Sequence, residues 1–328
     1  MRFLFVSPRY PPYIGGVEYV VKALAERLAA MGHDVTVLAG EPDAEAPREE
    51  IRNGVRVVRW PTLSPGGAYH MPRKRTALEM WLAAQKPDVV HIHGVHAVFT
   101  VHVGARLAGR GKIVLSPHYH GGGHTWFREL LWRLYWRRAV EKVFAKSSAI
   151  HVVSHVEAES LAKHFPAAKA KIRIIPNGVD EDTFSYRWAG AHSDYAMYSG
   201  RLEKYKKLDE AAALVRKLGL RFVVVGEGPA KRRLERHPWV EVKPFLTRRD
   251  YLTLLAGARY AINLSARETF SVFVAEALTV GVPSIVSEVV AKALEAEIDG
   301  RMGDAVVATK AAVRPWSELM PQYLKLYG

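Results

Sequence analysis

The chain has 328 residues, 49% of them hydrophobic, enough for two domains that each bury a core. It has no cysteine, which excludes disulfides and thiolate metal sites, and no apolar run approaches the roughly 18 residues of a spanning helix. A net charge of +14 admits nucleic acid, an anionic membrane surface or a phosphorylated substrate, and does not choose among them.

FLFVS reads as a buried first strand. Pro8, Pro11 and Pro12 follow too closely for a secretory leader, so a cytoplasmic protein is expected. Strands are predicted at 2–7, 34–39, 55–60, 88–92, 112–116, 149–153 and 172–175, then at 195–199, 221–225, 240–243, 259–264 and 283–287. Helical periodicity fills 17–31, 97–108, 127–146, 206–218, 247–256 and 270–280. This alternation predicts an α/β fold with parallel sheets covered on both faces. Residues 181–194 lack periodicity and read as a linker. The N-terminal domain is placed at 1–178 and the C-terminal one at 194–315, with a final helix at 316–328 that packs on either.

The turn after the first strand carries Gly15 and Gly16 ahead of a helix. Backbone without Cβ and a positive helix end together suit phosphate, although the pattern is neither G-x-G-x-x-G nor a P-loop. PDVVHIHGVHA and VLSPHYHGGGH bring His91, His93, His96, His118, His120 and His124 to strand ends. Zinc is the alternative there, but acidic ligands are not evident nearby, and contacts to substrate or backbone are expected instead. Residues 126–146 mix tryptophans with basic side chains. They suit an anionic membrane surface, or a core helix with a solvated basic edge.

In the second half, Gly200, Arg201 and Lys206 follow the strand YAMYS. Such positions face the crevice at the carboxyl edge of an open sheet, where an Arg fork and a Lys charge suit phosphate oxygens. ETFSVFVAEALTVGVP then places Glu268 in a strand–helix loop and Glu276 about two turns down the helix. Carboxylates accept from sugar hydroxyls, and one buried inside an apolar helix needs a partner.

These segments in order resemble family 4 of the retaining glycosyltransferases. The likeness rests on YPPYIGGVEYVV, HIHG, SPHYHG, HVVSHVEAESL, IIPNGVD, GRLEKYKKLD, VVVGEGP and ETFSVFVAE with GVPSIVS, and runs from residue 1 to about 288. It implies the GT-B fold, two Rossmann-like domains facing each other across a cleft. It implies hexose transfer from a nucleotide diphosphate sugar to a hydroxyl acceptor, with no cofactor and no metal. Gly15 and Gly16 would approach the donor phosphates, and His118 would contact the transferred sugar. Gly200, Arg201 and Lys206 would hold the diphosphate. Glu268 would contact sugar hydroxyls, Thr269, Phe270 and Ser271 would line the donor site, and Glu276 would take the ribose.

The family's glycine after the donor lysine is here Lys207, and two further family glycines are Thr269 and Ser271. Past GVPSIVS the family's glycine-containing loop reads EVVAKALEAE, and after DGRMGDAVVA the chain moves almost at once to its final helix, so the second domain is expected to be short of helix. A lipid-linked acceptor at the inner membrane face is implied by residues 126–146, and nucleic acid is not expected. The alternatives are a subunit that binds nucleotide sugars without turning them over, and a nucleotide-sugar epimerase.

Overall fold

The computed structural model describes residues 1–42, 44–65, 69–119, 121 and 136–328. Contacts divide the chain into one unit of Met1–Pro176 with Met320–Gly328, and a second of Asn177–Leu319.

The first unit is built on strands β1 (Arg2–Ser7), β2 (Asp34–Glu41), β3 (Arg48–Arg52), β4 (Val55–Leu63), β5 (Met71–Pro72), β6 (Val89–His93), β7 (Lys112–Ser116), β8 (Ala149–Val152) and β9 (Ile172–Ile174). Helices α1 (Gly16–Ala30), α2 (Arg75–Ala84), α3 (Val98–Arg106), α4 (Arg137–Lys146) and α5 (His155–His164) lie between them in the chain. The order is β3-β4-β2-β1-β6-β7-β8-β9, with β5 on β4. β1 pairs in parallel with both β2 and β6, so the order reverses at β1. The loops after β1 and β6 therefore flank the crevice where doubly wound sheets bind ligands. Inner strands such as VVHIH are buried along their whole length, as parallel strands covered on both faces must be.

The second unit repeats the plan with β10 (Tyr195–Ser199), β11 (Arg221–Val225), β12 (Val240–Lys243), β13 (Tyr260–Asn263), β14 (Ser284–Ser287), β15 (Glu297–Met302) and β16 (Ala305–Lys310). Its helices are α6 (Leu208–Lys217), α7 (Lys231–Leu234), α8 (Arg248–Ala256), α9 (Val272–Val280) and α10 (Glu288–Leu294). α11 (Trp316–Tyr327) runs past Leu319, where the second unit ends. The order β12-β11-β10-β13-β14-β16-β15 puts the reversal between β10 and β13. Each unit closes its own apolar core.

Two expectations need correction. The sheets are not wholly parallel: β3 and β5 run antiparallel to β4, and β15–β16 is an antiparallel hairpin paired to β14. That hairpin occupies the stretch expected only to be short of helix. Its turn, Gly303–Asp304, suits a two-residue connection, and Gly303 has φ +63°. Residues 181–194 are also no free linker. Trp188 N donates to Val280 O at 3.0 Å, Ala189 N to Ala256 O at 2.9 Å, and Trp188 Nε1 to Ala258 O at 2.9 Å. A Cβ on Gly190 would run into the carbonyl of Ala258, so only glycine lets this strap lie so close. Backbone hydrogen bonds leave no hydrophobic period, which is why the segment reads as loop.

Candidate functional site

In the second unit, the loops after β10 and β13 meet at the switch point. Ala266 N donates to Tyr205 O at 2.9 Å and ties one loop to the other. The first loop is held from β11's side by Leu202 N to Glu227 O at 2.9 Å, and a Cβ at Gly226 would collide with Gly200 O. The backbones of GRL and GEG therefore pack directly on one another. Arg201 stays exposed, with Nη2 3.4 Å from the Tyr205 hydroxyl. Lys206 Nζ donates to Glu268 Oε2 at 2.6 Å, both side chains being largely buried. Burial disfavours the ammonium, but the Glu268 carboxylate, with Tyr198 and Tyr205 beside it, more than offsets this. The Lys206 pKa therefore lies above its ordinary value and the group is a fixed cation.

Ser271 caps α9: its Oγ accepts from Val274 N at 3.3 Å and from Asn263 Nδ2 at 2.9 Å. Ser271 is buried, Thr269 half-buried, and Phe270 half-buried against the core. Glu276 lies one turn into α9, not two, because the helix starts only at Val272; it is 3% exposed, with both oxygens engaged. Arg248 Nη1 donates to Oε1, and the Tyr251 hydroxyl donates to Oε2 at 2.6 Å. Burial raises the Glu276 pKa, while Arg248 and Tyr251 work against that rise. Arg248 also holds Asp182 Oδ1 at 2.9 Å and Thr183 Oγ1 at 2.7 Å, which fastens the 181–194 strap to α8. Sequence reasoning missed Arg248 and Tyr251. The available signal was their i, i+3 spacing behind the Thr247 cap, which puts both on one helix face. The structure thus brings Gly200, Arg201, Lys206, Glu268, Thr269, Phe270 and Ser271 to one crevice edge and gives Glu276 protein partners of its own.

In the first unit, Gly15 caps α1, with the Glu18 carboxylate beside it, and a Cβ at Gly16 would enter open space. The preceding loop is clamped by Arg59, 1% exposed on β4. It donates to the carbonyls of Tyr10 and Pro11 and to Glu50 Oε1 at 2.6 Å.

The strand-end histidines separate into two groups. His151 Nε2 lies 2.9 Å from the Ile175 carbonyl, which only accepts, so that nitrogen carries the proton. His151 Nδ1 must then accept from the Ser116 hydroxyl at 2.6 Å. Ser116 Oγ in turn accepts from His91 Nε2 at 2.7 Å, and His91 Nδ1 accepts from the Tyr327 hydroxyl at 2.9 Å. Every polar atom along this buried run has a partner, so His91 is a structural residue. The other group is His93 with His118, Nδ1 to Nε2 at 3.1 Å. Among the described residues, no group of three His, Cys, Asp or Glu could hold a metal. His120, His124, Gly122 and Gly123 lie outside the described residues, as do 126–135 of the basic, aromatic segment. Its described end, α4, turns Val140, Val143 and Phe144 into the core.

The profile of Glycosyltransferase Family 4 matches residues 14–183, more than half the chain, and that of Glycosyl transferases group 1 matches 193–322. The chain belongs to glycosyltransferase family 4. A glycogen synthase of Mycobacterium tuberculosis is 29% identical over 95% of this chain and 82% of its own length. A GDP-mannose-dependent alpha-(1-6)-phosphatidylinositol dimannoside mannosyltransferase of the same species is 28% identical over 88% of this chain and 79% of its own. The solved sucrose-phosphate synthase of Thermosynechococcus elongatus superposes with a TM-score of 0.72 at 16% identity. That match covers 99% of this chain and 90% of the other, and the fold is GT-B.

Membership explains one departure in physical terms. The family's glycine after the donor lysine is Lys207 here, and Lys207 has φ +52°, ψ +45°. A side chain in that left-handed conformation costs ~1 kcal/mol or more. Lys207→Gly should therefore stabilise the second unit by ~0.5–1 kcal/mol, read as a higher urea midpoint.

Proposed function

We propose that this family 4 enzyme transfers a hexose from a nucleotide diphosphate sugar to a hydroxyl acceptor, retaining the anomeric configuration and using no divalent metal. The observation that carries this reading is the crevice edge of the second unit, where Arg201 and the Lys206–Glu268 pair lie on loops tied together at the switch point. Arg201 and Lys206 neutralise the diphosphate as it departs, a task that otherwise falls to a divalent cation. Glu268, already bonded to Lys206, accepts from sugar hydroxyls. Gly15, Gly16 and the start of α1 offer backbone N–H groups to phosphate.

The acceptor oxygen bonds to the anomeric carbon on the face from which the diphosphate leaves. The bond from that carbon to the diphosphate oxygen breaks, and the acceptor's proton passes to the diphosphate. No side-chain nucleophile is needed. Glu276 receives a ribose hydroxyl only alongside Tyr251 and Arg248, so its contribution is through a preset carboxylate orientation.

The two relatives differ in kind: one is named a glycogen synthase, the other a phosphatidylinositol dimannoside mannosyltransferase. The lipid-linked kind is proposed here, met at the inner face of the membrane by a cytoplasmic protein, and the net charge of +14 is compatible with it. No helix among the described residues is long and apolar enough to cross a membrane.

Incubation with UDP-, GDP- and ADP-hexoses and candidate acceptors tests the reading, with proton NMR of the product. An α-linked product from an α-donor is expected. Donor isomerisation without acceptor would identify an epimerase, and binding without turnover would identify a binding subunit.

A further inference from the structure

His118 is held at two points by residues to which no role has been given. On one side its Nε2 lies 3.1 Å from Nδ1 of His93, at the end of β6. On the other, the peptide that follows it is pinned: Tyr119 N donates to Glu157 Oε1 at 2.6 Å, and Glu157 Oε2 takes Val153 N at 3.0 Å. Glu157 is 1% exposed, so this carboxylate joins the loops after β7 and β8 in a buried setting. Between the two holds, His118 has φ +48°, a left-handed backbone that costs ~1 kcal/mol or more in a residue with a side chain. Strain that the surroundings over-determine in this way marks functional positions.

The contact also fixes which nitrogen does what. His93 is fully buried, and its Nε2 has no hydrogen-bond partner among the described residues. Burial, with His91 and His118 adding to it, holds the His93 pKa well below its ordinary value, so the ring is neutral and carries one proton. A proton on Nε2 would leave a buried N–H without acceptor, the rarer kind of orphan in folded proteins. A proton on Nδ1 is instead donated to His118 Nε2. His118 then carries its own proton on Nδ1.

We propose that His93 is a positioning residue that holds His118 by Nε2, so that His118 presents Nδ1–H, as a neutral donor, to a hydroxyl of the transferred sugar. The inference rests on the glycosyl-transfer reading, but its first test does not. In histidine-labelled full-length protein, long-range proton–nitrogen spectra at pH 7.5 should show His118 protonated on Nδ1, assigned by the signals lost in His118→Gln. A proton on Nε2 of His118 overturns the proposal whether or not the protein turns over a donor.

The second test is kinetic. His93→Phe should lower kcat by on the order of ten- to a hundredfold, with donor KM nearly unchanged, because the misplaced donor is one used in the transition state. His93→Asn restores a donor near the Nδ1 position and should recover most of kcat. Wild-type kcat in a folded His93→Phe protein overturns the proposal, as does an equal loss in the Asn variant. If no nucleotide sugar is turned over by the wild type, the functional reading fails and the spectra alone decide the histidine assignment.

Discussion

Lys206→Ala should reduce kcat/KM for the nucleotide-sugar donor by about 10²–10³-fold, the usual cost of losing one preorganised charge contact in a transition state. The effect has two sources that separate by experiment. In the proposed reaction Lys206 meets the developing charge on the diphosphate, and in the structure it partners Glu268 at 2.6 Å in a largely buried setting. Removing the lysine strands a carboxylate, so a stability cost of ~3 kcal/mol accompanies the loss of rate. Arg201 is exposed, so Arg201→Ala should lose a comparable factor in kcat/KM with little change in the unfolding midpoint. Lys206→Ala with Glu268→Gln should regain stability without regaining rate. Unchanged kcat/KM in either single variant removes the assigned role.

The second large effect comes from the histidine network of the first unit. Burial pushes the His151 pKa from 6.5 down to about 4, and His91 falls well below its ordinary value for the same reason. An unfolded chain binds protons at these histidines near pH 6.5; the folded chain does so at His151 only near pH 4, and at His91 only well below its ordinary value. Between those values the unfolded state binds more protons, so stability drops as pH falls. Glu157, raised by burial to about 7, and Glu276 act in the opposite direction over the upper part of this window. A difference between variants isolates the histidine term.

His151→Gln keeps a donor toward the Ile175 carbonyl and loses the Ser116 bond. It should be ~1–3 kcal/mol less stable than the wild type at pH 7.5. By pH 4.5 the gap should shift by about 2–3 kcal/mol in the variant's favour, since it lacks the group that resists protonation. Urea midpoints at the two pH values read this directly, and a gap independent of pH would show that His151 is not held neutral.

The alternating fold was legible because both cores rest on fully apolar strands and period-3.6 helices, such as FLFVS and the α1 segment. What escaped has physical reasons. β3 is REEIR, exposed almost throughout, an edge strand whose charges pair across to Arg56 and Arg59 and so give no hydrophobic alternation. β15 is an exposed edge of the same kind. The crevice residues were legible as a set, since each follows a strand at the switch point. Their pairings were not. Lys206 with Glu268 spans 62 residues, and Arg248 with Glu276 spans 28. His91 and His93 look equivalent in HIHG and share one strand face, their ring centroids 4.0 Å apart, yet one meets Ser116 and Tyr327 and the other His118.

The central claim is that side chains, and no bound cation, neutralise the departing diphosphate. Nucleotide release from the preferred donor, measured with acceptor present and with excess EDTA, tests it most directly. The account predicts a rate unchanged by the chelator and abolished in the Arg201→Ala, Lys206→Ala double variant. Release that stops in EDTA and returns with magnesium or manganese would contradict it.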